Sequence, residues 1–589
     1  MPAARADVSS AGFLRGVQGR WAFLAPVLGI LLLGLFAYGS ALHGEFVFDD
    51  IRQVRDNSML RDLGTFLSWG GYRSYPNRFV GYATFALNYR LGGLDVFGYH
   101  LVNLVIHLLA SLLVYRLVQL AFRTPRVRPT PLAASARNVS FVAAALFATH
   151  PLGTQAVTYI VQRFTSLAAL FYLLAAVLYL EWRLAAESGG ARAGRRAAIY
   201  VGVLLGSLLA MRTKEIAFTL PAALALAELV FFPAGGLRRW LPVLPVGAIA
   251  LLIPASWIDF RGPVAAVAAS ADSVTRLLTP VSRLDYLKTQ AVVVCEYLRL
   301  LVWPSGQNLD HDLPVYPFAL HPRVLFSLVV LGSLAAFAIW IARRTVPRAG
   351  RPSLDPAFRI VAFGIGWFFV TLAVESSLIP IVDVIYEHRA YLPSVGLFAA
   401  AATLLGLLFA KVVPESAGRV TVLTGVALAL LLGSLTLQRN AVWANAVTLW
   451  SDAAEKSPGK ARPHLLLGEA FDAAGKRGEA EREFRRAVEI DPEFTPGRTS
   501  LATFLQKCGR ARDAEAEYRV VLRLDPGHYP AIFNLAELLW SSGRRDEAAA
   551  LYRRFLELAP AGSGAGRAIA AARAGGAALM PAAPPPSPR

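Results

Sequence analysis

Apolar blocks of about twenty residues, separated by short arginine-rich stretches, recur along this chain up to about residue 440. A block of that length, folded as a helix, crosses the roughly 30 Å hydrocarbon core of a bilayer. Hydrophobic residues make up 55% of the chain, and most of them lie in these blocks. We predict about eleven membrane spans. They cover approximately residues 21–42, 98–120, 138–157, 164–182, 197–211, 215–233, 240–257, 322–343, 359–380, 391–411 and 419–437.

For two apolar segments, length and charge decide whether the segment is a membrane span. The run from Trp21 to Leu42 is longer than the roughly 7–15 apolar residues of a signal peptide, so we interpret it as an uncleaved first span. Segment 287–303 is also apolar, but it contains Lys288, Glu296 and Arg299. We expect this segment to lie at the interface or to re-enter the same side without crossing.

The positive charge of the chain is a topology signal. A net charge of +19 would suggest a nucleic-acid ligand in a soluble protein. Here the arginines lie between apolar blocks, where cytoplasmic loops collect Lys and Arg. If segment 287–303 does not cross, all the arginine clusters fall on one side. We therefore expect a multi-pass protein of the inner (cytoplasmic) membrane, in contact with lipid and without a nucleic-acid partner. Residues 1–20 would be cytoplasmic and the region after the last span would lie outside.

The C-terminal region contains a repeat. Pro458, Pro492, Pro526 and Pro560 are each 34 residues apart, and this period is that of tetratricopeptide repeats. Small and aromatic residues keep the same register; they are Gly468, Ala502 and Ala536, then Ala480, Ala514 and Ala548, then Phe484, Tyr518 and Tyr552. The pattern predicts an α-solenoid over residues 438–562, whose concave surface typically holds a protein or peptide. An Ala/Pro-rich tail spans residues 563–589, and its part 574–589 is expected to be disordered.

Two adjacent acids, Asp49 and Asp50, follow the first span directly. Like charges repel, so one of the pair is expected to have a raised pKa, which suits a general base. The sequence does not distinguish Asp49 from Asp50 in this role; we favour Asp50 as the base. The simpler interpretation is that the pair begins a solvated loop.

Other charged and polar residues are predicted on the same outer side, at the ends of spans. Charges so close to lipid are costly, although a single Lys or Arg at a span end often only reaches toward the interface. Three cations are candidates to hold a phosphate, since Arg in particular forks onto phosphate oxygens; they are Arg163, Lys214 and Arg389. Supporting roles are predicted for His150, Gln162, Glu215, Glu387 and His388. His107 lies within a span and is expected to be a hydrogen-bonded helix contact.

The sequence lacks the motifs of several common catalytic and metal-binding sites. There is no Gly-rich phosphate loop, no GxSxG serine motif and no Cys/His cluster with zinc spacing. The two cysteines, Cys295 and Cys508, lie in different regions, so no disulfide framework is expected. The residues require no metal or other cofactor, although the carboxylates leave room for a bound divalent ion as an alternative.

The order of several short stretches resembles one family. These stretches are Phe46–Asp50 with Asn57, His150-Pro151 with Gln155–Val157 and Arg163, Lys214-Glu215, and Glu387–Ser394. Followed by the repeats, they resemble the transmembrane and tetratricopeptide-repeat proteins that act as protein O-mannosyltransferases, and their bacterial relatives. The resemblance covers about residues 20–562. It implies the helical GT-C membrane fold, a sugar donor carried on polyprenyl phosphate, and an essential acid in the Asp49-Asp50 pair.

The sequence therefore predicts an all-α protein. A GT-C-like bundle spans residues 21–437 and a tetratricopeptide-repeat α-solenoid follows. The expected function is transfer of a sugar from a polyprenyl-phosphate carrier to Ser or Thr of a protein, with inversion. Two alternatives remain open: a membrane scaffold that recruits proteins through its repeats, and a GT-C enzyme whose acceptor is a glycolipid or polysaccharide.

Overall fold

The computed structural model describes residues 24–189, 192–233, 235–256, 258, 281–347, 352–377 and 379–558. Every regular element in these ranges is helical, which confirms the predicted all-α class. The chain forms two compact units. One comprises Met1–Leu309 and Leu313–Asn445; the other comprises Asp310–Asp312 and Ala446–Arg589. The predicted cytoplasmic segment 1–20 and the tail 563–589 lie outside the described residues.

The first unit is a bundle of helices of very different length. In chain order its described α-helices are α1 (Leu24–His43, 3-10 in its last turn), α2 (Leu63–Phe66), α3 (Trp69–Ser74), α4 (Phe79–Gly92), α5 (Val96–Arg123), α6 (Ala136–Thr149), α7 (Thr154–Val157), α8 (Arg163–Glu187), α9 (Ala193–Met211), α10 (Leu220–Phe231), α11 (Leu244–Ala250), α12 (Leu252–Ala255), α13 (Arg283–Val302), α14 (Pro322–Arg344), α15 (Phe358–Leu372), α16 (Tyr391–Val412) and α17 (Ala417–Val442).

Among the described residues of this unit, eight helical segments are long and apolar enough to cross a membrane. They contain α1, α5, α6, α8, α9, α14, α16 and α17, and three of them begin with a short 3-10 turn: Pro131–Ser135, Ile160–Gln162 and Glu387–Ala390. Each matches one of the predicted spans. Together with the resemblance of the chain to membrane proteins reported below, these helices make it a membrane protein.

The other three predicted spans are shorter than expected. Segment 215–233 consists of the 3-10 turn Glu215–Thr219 and α10, 240–257 contains α11 and α12, and 359–380 contains α15. A helix of about 15 residues is only about 22 Å long, so it does not cross a 30 Å core unaided. The breaks follow the sequence: Lys214 and Glu215 precede α10, and Glu375 follows α15.

Segment 287–303 is part of α13 up to Val302, and α13 is not among the eight long apolar segments. Its apolar side faces the unit, where Tyr286, Val293 and Tyr297 are fully buried. On another side of the helix Arg299 and Glu296 form an ion pair. Such an amphipathic helix is compatible with the predicted interfacial position, which stays a prediction.

Small residues and buried polar groups fix the packing of the bundle. Gly364 on α15 faces Gly396 on α16 so closely that a Cβ at either would overlap the other's carbonyl oxygen. Small residues let membrane helices approach in this way. His107 on α5 is confirmed as a helix contact, because its ring nitrogens bind the Tyr391 hydroxyl at 2.7 Å and the Ala148 carbonyl at 3.1 Å.

The second unit is the repeat array. Its described helices are α18 (Ala446–Lys456), α19 (Ala461–Ala473), α20 (Arg477–Ile490), α21 (Thr495–Lys507), α22 (Ala511–Leu524), α23 (Tyr529–Ser541) and α24 (Arg545–Leu558). The helices α19 to α24 form three helical hairpins in which equivalent helices begin 34 residues apart. The 34-residue period predicted from the proline spacing is therefore confirmed over the described part of the array.

Each hairpin packs as its pattern predicts. A Cβ on Gly468 would lie 2.8 Å from the Phe484 ring, so the small residue makes room for the aromatic one. Phe484, Tyr518 and Tyr552 are all buried. The turns contain Gly475, Gly509 and Gly543, whose φ angles of 75°, 77° and 81° suit glycine.

The short segment Asp310–Asp312 belongs to the repeat unit. The Asp310 side chain is only 3% exposed. Its carboxylate accepts hydrogen bonds from Lys460 and from Nε and Nη2 of Arg462, the last two at 2.6 and 2.7 Å. Burial alone would raise the pKa of Asp310, but the bonds and charge of Arg462 and Lys460 hold it below its usual value.

Candidate functional site

The predicted acidic pair lies in a strained turn after α1. Phe48 has a φ of 51°, a left-handed conformation that costs a bulky residue about 1–3 kcal/mol. The Asp50 amide donates to the Val47 carbonyl at 3.0 Å, and the Ile51 amide donates to the Phe48 carbonyl at 3.2 Å. Strain of this kind persists only where the surroundings enforce it, and it is frequent at functional sites. The fold therefore fixes the position of the acids.

Asp50 is the inner member of the pair. Its side chain is fully buried, and the Val161 amide donates to Oδ1 at 2.7 Å while the Val47 amide donates to Oδ2 at 3.2 Å. Burial raises the pKa of Asp50, and the two backbone donors act against that shift. The carboxylate thus ties the loop to the segment that precedes α8.

Asp49 is the more accessible acid, because its side chain is only half-buried. Its backbone amide donates to the Tyr159 hydroxyl at 3.0 Å. Its carboxylate lies within electrostatic range of Tyr159 and Tyr82, whose rings are both buried. A tyrosine therefore fixes the backbone of Asp49, and the Asp49 side chain is less buried than that of Asp50.

Lys214, in the turn after α9, is buried together with a counter-ion. Its Nζ lies 2.9 Å from Glu375 Oε1 and donates to Thr165 Oγ1 at 3.0 Å. Burial lowers the pKa of Lys214, and the Glu375 carboxylate opposes that shift. Thr165 Oγ1 donates in turn to Gln162 Oε1 at 2.9 Å. These contacts use two of the three ammonium N–H groups.

Arg78 forms a second ion pair beside Lys214. Its Nε and Nη2 lie 3.3 and 3.4 Å from the two carboxylate oxygens of Glu215. Burial would raise the pKa of Glu215, but the positive charge of Arg78 holds it below its usual value. The Arg78 side chain is 39% exposed. It is therefore a cation that a ligand from solvent or from the interface can reach.

The segment Tyr386–Arg389 supplies the remaining groups. His388 is buried, its ring stacks on that of Tyr386 at 5.2 Å, and its Nδ1 has no hydrogen-bond partner among the described residues. Arg389 donates to the carbonyls of Val384 and Asp383 at 3.2 and 2.9 Å. Arg389 thus organises the loop that presents Tyr386 and His388.

Glu387 and His150 hold neighbouring segments together. The buried Glu387 carboxylate accepts hydrogen bonds from Gln307 Nε2 at 2.9 Å and from the Asn308 amide at 2.6 Å. His150 Nδ1 accepts from the Leu152 amide, and Nε2 contacts the Leu301 carbonyl at 3.1 Å. Both residues are predicted supporting groups, and these contacts give them a positioning role.

Arg163 was predicted as a phosphate ligand, and in the structure its contacts lie within the protein. Its guanidinium is fully buried and donates to Asn103 Oδ1 and Asn88 Oδ1, both at 2.6 Å, and to the Tyr99 carbonyl at 2.9 Å. It also lies 4.3 Å above the Phe85 ring and contacts Thr84 Oγ1 at 3.2 Å. With four hydrogen bonds inside the protein, Arg163 joins α4, α5 and α8 instead of facing a ligand.

Electrostatic interactions connect the other groups into one cluster. Tyr82 interacts with both Asp49 and Arg78, and Arg78 interacts with Glu215 and Glu375. Lys214 and Arg78 lie within electrostatic range of His388, and Tyr386 lies within electrostatic range of Tyr159. We call this set the acid–base cluster. It comprises Asp49, Arg78, Tyr82, Tyr159, Lys214, Glu215, Glu375, Tyr386 and His388. Within the part of the chain that the structure describes, no three His, Cys, Asp or Glu side chains converge closely enough to hold a metal ion.

The sequence analysis missed Arg78 and Glu375. A signal for Glu375 was present, because an acid inside an otherwise apolar predicted span, here 359–380, indicates a functional group. Arg78 had no such signal. It stands before α4 in a loop with several arginines, and only the fold brings it to Glu215, 137 residues later.

Comparison with known proteins gives the class first. Two tetratricopeptide-repeat family models match residues 461–494 and 505–572. The chain is thus a membrane protein with a C-terminal tetratricopeptide-repeat array.

The longer matches are more specific. The chain is 25% identical over 499 residues to the protein O-mannosyl-transferase F38B6.6 of Caenorhabditis elegans. This match covers 81% of this chain and 64% of that protein. It is 26% identical to the protein O-mannosyl-transferase Tmtc3 of Drosophila melanogaster, over 80% of this chain and 55% of the relative. A shorter match to human TMTC1 is 35% identical over 26% of this chain and 18% of the relative.

These matches confirm the resemblance found in the sequence. Over most of its length, the chain is similar to the transmembrane and tetratricopeptide-repeat protein O-mannosyl-transferases. It aligns with less than two thirds of the length of these first two relatives.

Proposed function

We propose that this protein is a membrane glycosyltransferase that moves a sugar from a polyprenyl-phosphate carrier to a Ser or Thr hydroxyl of a protein. The relatives are named for transfer of mannose to proteins. The observation that carries the proposal is the acid–base cluster. A positioned, half-buried Asp49 shares it with two cations, Arg78 and Lys214.

The reaction requires a base on one side of the anomeric carbon and a stabilised leaving group on the other. Asp49 takes the proton of the acceptor hydroxyl as the hydroxyl oxygen bonds to the anomeric carbon. The bond from that carbon to the phosphate oxygen breaks, and its electron pair leaves with the polyprenyl phosphate. Attack opposite the leaving group inverts the anomeric centre. Asp49 then returns its proton to solvent.

The geometry favours Asp49 over Asp50 as the base, which reverses the order expected from the sequence. Both Asp50 oxygens are occupied by backbone amides inside the protein. An acceptor hydroxyl would have to displace one of them. Asp50 is better suited to position the strained turn that presents Asp49.

Lys214 and Arg78 are the proposed ligands of the donor phosphate. Phosphate oxygens gain most from charged N–H donors in a site that excludes water. Lys214 is held by Glu375 and Thr165, so its ammonium is oriented before the donor arrives. Arg78 makes only long contacts to Glu215 and is partly exposed, so a phosphate can compete for its guanidinium. Arg389 contributes indirectly, through the loop that carries Tyr386 and His388.

The repeats are proposed to bind the protein acceptor. They follow α17 after a short connection, since α17 ends at Val442 and α18 begins at Ala446. Tethering an acceptor to the same chain as the site raises its local concentration. The proposed location is the inner (cytoplasmic) membrane. The N-terminus would be cytoplasmic, and the acidic pair and the repeats would lie outside, as the arginine distribution predicts.

The test is a transfer assay with the purified full-length protein in detergent. Radiolabelled mannose on polyprenyl phosphate is supplied together with Ser/Thr-rich peptides, and label is measured in peptide, lipid and polysaccharide fractions. Label that enters peptide and is released by β-elimination supports the proposal. Label that enters only a glycolipid or polysaccharide would identify the alternative acceptor. If the protein binds peptide but no donor, the scaffold function becomes the better account.

A further inference from the structure

A second polar site lies at the opposite end of the helices from the acid–base cluster. The C-terminal ends of α5 and α8 and the first two turns of α9 line an open cavity of about 600 Å³. Arg163 and Lys214 lie at the other ends of α8 and α9. An α-helix of 25 residues is about 37 Å long, so the two sites are separated by about the thickness of a membrane.

Most of the arginines that line the cavity have no carboxylate partner among the described residues. Four arginines line it, and only Arg116 has an ion pair there, with Glu181 at 2.7 Å. For Arg123, Arg128 and Arg195 no carboxylate lies within ion-pair distance among the described residues, and all three are exposed. A second acid in the lining, Glu187, is already paired with Arg183 at 2.9 Å. The uncompensated charge in the cavity is therefore positive.

Apolar groups complete the lining. Leu120, Leu184 and Ile199 lie beside the arginines, one on each of the three helices. Charge without apolar neighbours would suit a soluble anion, whereas this mixture suits a phosphate that carries an acyl chain. Basic pockets between membrane helices hold anionic lipid headgroups in this way. The volume also lies within the roughly 300–1,000 Å³ range of small-molecule sites.

We propose that this cavity binds the phosphate of an anionic phospholipid, with Arg123, Arg128 and Arg195 as ligands and the acyl chains along the apolar wall. The site is separate from sugar transfer and does not depend on it. Arginines at span ends also serve topology, but topology requires only that they be on one side. Their convergence on one cavity is what a lipid ligand explains.

The experiment uses the purified full-length protein in a neutral detergent. Binding of short-chain phosphatidylglycerol is measured by native mass spectrometry and compared with phosphatidylcholine of the same chain length. We expect phosphatidylglycerol to bind at least about tenfold more tightly, and replacement of Arg123, Arg128 and Arg195 by Gln to abolish that preference. The control replaces Arg238, Arg343 and Arg419 by Gln. These arginines are exposed, are predicted on the same membrane side and lie outside the cavity.

The outcomes distinguish lipid binding in the cavity from binding by diffuse surface charge and from binding of a soluble phosphate ester. Loss of the preference in the cavity variant, with the control variant unchanged, supports the proposal. Equal loss in both variants would overturn it, since diffuse surface charge would then account for binding. Glycerol 3-phosphate that binds the cavity as tightly as phosphatidylglycerol would also overturn it, because the ligand would then be a soluble phosphate ester. Size-exclusion chromatography of each variant verifies that it is folded.

Discussion

Replacing Arg163 tests whether this residue holds the fold or the donor. The Arg163 guanidinium donates four hydrogen bonds to fully or partly buried acceptors, two of them on Asn103 and Asn88 at 2.6 Å. Breaking a buried, hydrogen-bonded charge site costs roughly 3–5 kcal/mol. We therefore expect Arg163→Met to destabilise the protein by that amount. Arg163→Lys keeps the charge but loses the planar fork, so we expect roughly half the loss.

The assay is the unfolding temperature in detergent, measured by the folded fraction that survives heating on size-exclusion chromatography. A loss of 3 kcal/mol should lower that temperature by at least about 5 °C. The matched control is Arg52→Lys, since Arg52 is exposed in the loop after the acidic pair. If Arg163→Lys unfolds at the wild-type temperature while donor affinity falls tenfold, the structural role of Arg163 is refuted. The role of phosphate ligand predicted from the sequence would then be the better account.

Three further predictions concern the donor, the repeats and pH. Arg78→Gln should raise the donor KM by roughly tenfold or more, because it removes a charge-assisted contact to the phosphate; the exposed Arg73→Gln should leave KM unchanged, and equal effects would argue against a specific contact. Gly468→Leu should cost roughly 1–3 kcal/mol through overlap with Phe484 and should reduce transfer to protein while donor binding persists. Gly478→Leu, with open space around it, is the control, and donor binding lost in step with transfer would contradict the assignment of the repeats to the acceptor. Asp310→Asn should destabilise the repeat unit by about 2 kcal/mol at pH 7. Because the folded-state pKa of Asp310 is lowered, this stabilisation is present above its unfolded pKa of about 3.9 and is lost as pH falls through the folded value. Unfolding curves of wild type and variant should therefore converge in acid, and a constant difference would contradict the linkage.

The periodic features of this protein could be predicted from its sequence. A span is defined by its length and hydropathy, and a repeat by its period, so both are local properties. The eight long segments and the three helical hairpins were found in this way. The lengths of three predicted spans were overestimated because hydropathy includes apolar loop residues, as in 359–380, where the helix ends at Leu372.

The site was only partly predictable, because side-chain roles depend on long-range contacts. Sequence order indicated Asp49-Asp50 and Lys214 as candidates, because they follow spans directly. It could not distinguish Arg163, enclosed by Asn88 and Asn103, from a cation open to a ligand. Nor could it rank the two acids, since the Val161 amide that occupies Asp50 lies 111 residues away along the chain.

The central claim is that Asp49 is the base and Asp50 its positioning partner. The direct measurement is single-turnover transfer of labelled sugar by Asp49→Asn and Asp50→Asn, with donor affinity and unfolding temperature measured on the same preparations. Asn has nearly the shape of Asp but does not accept a proton at neutral pH. General-base catalysis contributes about 10²–10⁴-fold, so Asp49→Asn should lose that much rate while donor affinity stays within a few-fold and the unfolding temperature is unchanged.

Asp50→Asn should behave differently. Its amide would face one of the two backbone donors, so it should mainly lower the unfolding temperature, with a smaller loss of rate. If Asp50→Asn instead loses transfer with unchanged stability and Asp49→Asn retains it, the assignment of the base is contradicted. A double variant with wild-type transfer would contradict base catalysis by this pair altogether.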